Sequence, residues 1–135
     1  MKHMAKHNEI GKIGEDMASK WLVRNGFSII QRNYAKKYGE IDIVARETNG
    51  KIHFVEVKTV SYETKVLLNN AVSHGTWRPE ENVHKNKQMR LSRTIQSWIF
   101  ENHYDGDWQI DIIAIRVVPR EKYATIKLLQ NIIFE

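Results

Sequence analysis

The sequence predicts an α/β domain in which one helix is followed by three strands, a second helix and a further strand. Three observations carry that reading. Apolar residues recur at three- and four-residue spacing from Ile10 to Leu22, the mark of a helix buried along one stripe. Two strand-like runs, 39–46 and 51–60, flank Thr48-Asn49-Gly50, whose Asn-Gly pair is a hairpin-turn signal. A helix-periodic stretch over about residues 84–102 then precedes an apolar strand from Trp108 to Val118. At 135 residues the chain has the usual size of one domain and can bury roughly two-thirds of its unfolded surface, so a single domain over 1–135 is expected.

The first helix carries Ile10, Ile13, Gly14, Met17, Ala18, Trp21 and Leu22 on its stripe, and Asn25-Gly26 ends it. Glu15 lies at the edge of that stripe, beside Gly14, whose missing side chain permits close approach to a sheet. Phe27 to Tyr34 reads as the first strand. Arg32, Lys36 and Lys37, interleaved with Tyr34 and Tyr38, lead into Gly39. This stretch reads either as a track for phosphates and bases or as a solvated loop.

The hairpin, GEIDIVARETNGKIHFVEVKT from Gly39 to Thr59, is interrupted by Asp42, Glu56 and Lys58. Alternation puts Glu56 and Lys58 on one face with Ile52 and Phe54. A three-residue loop closed by Glu47 and Lys51 sets Asp42 directly opposite Glu56. Two carboxylates about 5 Å apart repel by about 3 kcal/mol at an effective dielectric near 20, so a cation is expected beside them. Lys58 alone can supply it as an ion pair. A hard divalent metal, which takes carboxylate oxygens and keeps exchangeable waters, is the sharper reading.

Residues 61–83 show no sustained period and read as a long loop or insertion. Three fates stand for it: a flap over substrate, a segment swapped onto a twin subunit, or a disordered insertion. Leu67 and Leu68 offer too little apolar surface for a core of their own. The helix over about His84 to Asn102 buries Leu91, Thr94, Ile95, Trp98 and Ile99, and the same stripe extended backward reaches Lys87. Lys85, Lys87, Arg90 and Arg93 come with no acid among residues 82–100, a positive end able to meet phosphates. Asp111 shares a face with Ile113 and Ile115; it either orients Lys87 or a metal-bound water, or is a buried structural acid. Tyr123 to Phe134 reads as an edge strand.

Composition narrows the chemistry. The chain has no cysteine, which excludes disulfides and thiolate metal sites. No apolar run approaches membrane-spanning length and no signal-like segment opens the chain, so a cytoplasmic protein with no membrane partner is expected. A net charge of +5 favours a polyanionic partner. The six histidines show no metal-ligand spacing, no glycine loop cradles phosphate, and Ser61 and Ser73 lack a nucleophile's context.

Asp42 followed after thirteen residues by Glu56-Val57-Lys58 resembles the PD-(D/E)xK nuclease signature. With GKIGEDMASKWLVRNGF, RNY, GEIDIVA, FVEVKT, KNKQMRLSRTIQSWI and IDIIAI in that order, the chain resembles the YraN family of small bacterial proteins over residues 9 to about 118. These are predicted endonucleases related to archaeal Holliday-junction resolvases. The resemblance implies a restriction-endonuclease-like αβββαβ core with a mixed sheet between helices, and a metal-dependent nuclease acting on DNA, including branched or structured DNA. It implies that Glu15, Asp42, Glu56 and the Val57 carbonyl hold Mg²⁺ or Mn²⁺ and that Lys58 assists the attacking water. Lys87 and Arg90 match basic positions of the family and are expected to contact DNA with Lys85 and Arg93. Trp77 and Arg78 are candidates to stack on an unpaired base, and a homodimer would pair two sites. The alternatives are a silent nucleic-acid-binding module on the same scaffold and an adaptor for an acidic protein.

Overall fold

A computed structural model describes residues 2–75 and 85–133. Helix α1 (Lys2–Arg24) buries Gly14, Ala18 and Leu22. Those three, four residues apart, already fill the line of contact. Ile13 falls about 100° to one side and is 43% exposed, against the expectation that it belonged to the stripe. The helix stops where expected: Gly26 takes φ +89° and the Asn25 side chain donates to the Trp21 carbonyl at 2.8 Å.

Three antiparallel strands follow, β1 (Ser28–Lys36), β2 (Gly39–Arg46) and β3 (Ile52–Ser61). The β2–β3 hairpin closes with Glu47 N–H donating to the Lys51 carbonyl and Gly50 N–H to the Glu47 carbonyl, both at 2.9 Å. Its pairs run from Arg46 with Ile52 to Ile43 with Val55, the register expected from the turn. Strand β4 (Trp108–Val118) lies parallel to β3, and β5 (Tyr123–Leu129) pairs antiparallel with β4 at the sheet edge. The sheet is mixed, in chain order β1 to β5. This is the αβββαβ arrangement expected, with β5 ending at Leu129 instead of Phe134.

Segment 61–83 departs from expectation. Residues Lys65–His74 form a helix, α2, capped by Thr64, whose hydroxyl accepts from Leu67 N–H at 3.2 Å, and by Gly75 at φ +59°. Leu68 is buried, so the segment does contribute to the core. The cap residues were the signal for this helix; its apolar pattern was too short to show a period. Helix α3 (Lys85–Glu101) buries Leu91, Thr94, Ile95 and Trp98 as expected.

The helices cover opposite faces of the sheet. Leu91, Ile95 and Trp98 of α3 pack with Tyr34, Val44 and Phe54, while Ala18 and Leu22 of α1 pack with Ile43, Val55 and Ile113. Tyr34 is therefore core, not a platform for bases. No helix among the described residues is long and apolar enough to cross a membrane.

Within the α1-side layer lies a buried polar group that the sequence did not single out as one. His53 bridges Asp111 at 2.5 Å and Glu47 at 2.6 Å, and Asp111 also accepts from Gln109 at 2.7 Å and Asn131 N–H at 3.0 Å. Asp111 is thus structural and does not orient Lys87. Burial opposes charge on His53, but the two carboxylates outweigh it and raise its pKa. Burial likewise pushes Asp111 up, yet His53, Asn131 and Gln109 leave it lowered. A raised histidine contributes stability that is full below the unfolded value near 6.5 and is lost as pH climbs through the folded value. Asp111→Asn should therefore lower stability by about 3 kcal/mol at pH 5 to 6, and the gap to wild type should narrow above pH 7. Thermal melts across pH check this; parallel curves would exclude the charged pair.

Candidate functional site

The site forms where the β2–β3 ladder ends. Ile41 packs with the α3-side cluster and Ile43 with the α1-side cluster, although residues two apart in a regular strand share a face. Alternation is broken at Asp42. Across from it on β1, between the pairs Arg32–Ile43 and Tyr34–Ile41, Asn33 takes φ +54°, a left-handed turn that asparagine tolerates better than most residues. Asp42 accordingly stands in the gap between the two layers, where groups from both can reach it.

Each neighbour arrives from a different element. Asp42 Oδ2 accepts from Val57 N–H at 2.8 Å, which ties β2 to β3 just beyond the last regular pair, Ile43 with Val55. Glu56, 6% exposed, comes from β3 on the α3 side. Glu15 comes from α1, brought close because Gly14 lies directly on β3: a Cβ there would sit 1.8 Å from Thr59 Oγ1. Glu40, two residues before Asp42, completes the group, and ligand oxygens of Glu15, Glu40 and Asp42 lie within 4.8 Å of one another. The Asn33 amide, oriented to satisfy both, donates to Glu15 at 2.8 Å and Glu40 at 3.0 Å.

Glu40 is the site residue that sequence reasoning missed. Its signal was the spacing of two from Asp42 at the start of a strand. Lys58 and Lys87 supply the opposing charge, since both pull down the carboxyls of Asp42 and Glu56. Lys87, which extends the buried stripe of α3, does point into the site as expected, and lines a cavity of about 290 Å³ with Asp42, Glu56 and Arg90. Arg93 lies 4.0 Å over the Tyr38 ring, and Lys85 is exposed on the first turn of α3. Trp77 and Arg78 lie outside the described residues.

The electrostatics are those of a carboxylate cluster. Burial and then the charge of Asp42 raise both Glu15 and Glu40. Burial raises Asp42 against the pull of Val57 N–H and the lysines. Burial and Asp42 push Glu56 up to about 8. Lys58 moves the other way, lowered by burial and by Lys87 beside it.

The model of the family described as "Uncharacterised protein family UPF0102" matches residues 14–115. The chain belongs to UPF0102. That match spans Glu15, Asp42, Glu56, Lys58, Lys87 and Arg90, and it bears out the YraN resemblance drawn from the same motifs. Among UPF0102 relatives, the protein of Campylobacter fetus is 34% identical over 121 residues, covering 90% of both chains. That of Campylobacter concisus is 34% identical over 122 residues, covering 90% of this chain and 91% of its own. That of Trichlorobacter lovleyi is 34% identical over 107 residues, covering 78% and 76%.

A glutamate raised in the folded state binds more protons than in the unfolded chain between its two pKa values, so it lowers stability progressively from about pH 4.5 to 8. Glu56→Gln should raise the melting temperature without divalent metal, with a gain near zero at pH 4.5 that grows toward pH 8. The scale is on the order of 1.4 kcal/mol per unit of displacement. Adding Mg²⁺ should stabilise wild type more than the variant. Melts with and without metal test both signs.

Proposed function

We propose that this chain is a metal-dependent nuclease that hydrolyses phosphodiester bonds of DNA, with branched or structured DNA as the substrate class. The observation that supports it most is the convergence on Asp42 of Glu15 from α1 and Glu56 from β3, with Lys58 and Lys87 acting on Asp42 and Glu56. The donor set fits a hard cation: every candidate ligand is an oxygen, three of them lie within 4.8 Å of one another, and their mutual repulsion is what a dication relieves. Glu15, Asp42, Glu56 and the Val57 carbonyl would hold Mg²⁺ or Mn²⁺, with Glu40 as an added oxygen donor. When bound, such an ion polarises phosphoryl oxygen and makes water a stronger acid.

The protein's own groups divide the remaining work. Lys58, with its pKa lowered, more readily gives up its proton and can accept one from an attacking water at Nζ. Lys87, beside Lys58 and lining the cavity, offers a cation to a phosphate oxygen. Asp42 holds Val57 N–H at 2.8 Å and so fixes the strand that carries Glu56 and Lys58. A homodimer would present two such sites to a branched substrate, and a cytoplasmic setting suits the same reading.

The test is incubation with branched, single-stranded and duplex DNA plus Mn²⁺, beside Asp42→Asn and Glu56→Gln. Both variants should lose Mn²⁺ binding by calorimetry and lose cleavage. Lys58→Ala should keep metal affinity and lose about 10²-fold or more in rate. Cleavage by Lys58→Ala at the wild-type rate would remove that lysine from the mechanism. Salt-sensitive DNA binding with no cleavage of any substrate would favour a binding module.

A further inference from the structure

We propose that the trough between the β1–β2 turn and α3 is a second phosphate subsite, which grips the DNA strand beyond the bond held at Asp42 and Glu56. The inference rests on the nuclease reading above and extends it to how the strand leaves the site.

The trough has a volume of about 580 Å³ and is walled by Lys36, Lys37 and Tyr38 on one side and Arg90 and Arg93 on the other. It shares Gly39, Glu40 and Arg90 with the cavity that holds Asp42, Glu56 and Lys87, so one surface runs from cluster to trough. Gly39 is where the walls meet. A Cβ there would lie 2.5 Å from Thr94 Oγ1 and 3.0 Å from the Arg90 carbonyl, so α3 rests on the start of β2 and Arg90 stands on the shared rim.

Charge and order distinguish this trough from an ordinary solvated surface. Lys36 is tied to Glu101 and is largely neutralised. Neither Lys37 nor Arg90 forms an ion pair with an acid among the described residues. The Arg93 guanidinium lies over the Tyr38 ring, its Cζ 4.0 Å from the centroid, and the Tyr38 hydroxyl is bonded to Ser97. Held over the ring, the guanidinium is pre-ordered to meet a phosphate through its N–H groups. Glu40, the sole carboxylate of the lining, sits on the side of the cluster, which biases anion binding toward Lys37 and Arg93. From Lys87 to Arg93 the helix advances about 9 Å, so the trough meets a phosphate farther along the strand than the one at the cluster.

The experiment measures binding, in Ca²⁺, of single-stranded deoxyoligonucleotides of graded length up to about twelve nucleotides. Wild type should gain affinity as the strand lengthens enough to reach the trough. Lys37→Ala and Arg93→Ala should each lose that gain and lower the magnitude of the log–log salt slope by about 0.7, with unchanged melting temperatures. Lys37→Glu should weaken binding further, Arg93→Lys should restore much of the slope, and Lys127→Ala on β5 should behave as wild type. If wild type binds with length dependence and the Lys37 and Arg93 variants keep both gain and slope, the trough is not a subsite. If wild type binds neither these strands nor a branched duplex, the nuclease reading falls and this inference with it; if it binds the branched duplex alone, the trough is not a strand subsite.

Discussion

The confinement of four carboxyls at the parted end of one β-ladder is the constraint that the rest of the molecule serves. Burial drives Glu15, Glu40, Asp42 and Glu56 each toward protonation, and the charge of Asp42 adds to it at the other three. Left unopposed, such a group would push its elements apart. The hairpin register fixes Asp42 against Val57 N–H at 2.8 Å, and two glycines let the helices approach. Gly14 seats α1 on Thr59 and Gly39 seats α3 on the start of β2. Asn33 donates to two of the acids, and Lys58 and Lys87 oppose the charge of the other two.

The stabilising polar chemistry lies elsewhere. Glu47, His53 and Asp111 join the hairpin turn to β4, and Asp111 also holds Asn131 beyond β5. Here the charges alternate in sign, so burial is compensated, whereas at the cluster like charges meet. The two groups sit at opposite ends of the β2–β3 hairpin, one near Arg46 and Ile52 and the other past Ile43 and Val55. The triad secures the frame on which the strained cluster is mounted. Their pH responses share a direction, since stability falls with rising pH through both His53 and Glu56, and only variants at each can separate them.

Most of the frame was legible because it follows from local rules. The Asn-Gly turn dictated register, register dictated that Asp42 and Glu56 meet, and helical period pointed Lys87 inward. What escaped depended on departures from regularity or on partners distant in sequence. Glu40 joins the cluster through Glu15, a partner 25 residues away on α1, and through Asn33, which donates to both. His53 looked like an isolated histidine because its partner Asp111 is 58 residues away. Helix α2 is held by end caps and one buried leucine, Leu68, too little to register as a period. Ile13 failed for the opposite reason, since the period was real but Gly14, not Ile13, faces the sheet.

The cluster also weighs between hydrolysis and passive binding. A platform meant only to hold a polyanion gains nothing from carboxylates in its deepest cavity, where at an effective dielectric near 20 each pair some 5 Å apart repels by about 3 kcal/mol and a bound phosphate would add to that repulsion. Such a platform would be served better by neutral residues there. The cations of α3 lie beside the acids instead of replacing them, with Lys87 at the cavity and Arg93 over Tyr38. Charges of both signs in adjoining positions make sense where a dication sits between carboxylate and phosphate while basic side chains hold the phosphates on either side. An adaptor for an acidic protein surface would need the cations and have no use for the cluster.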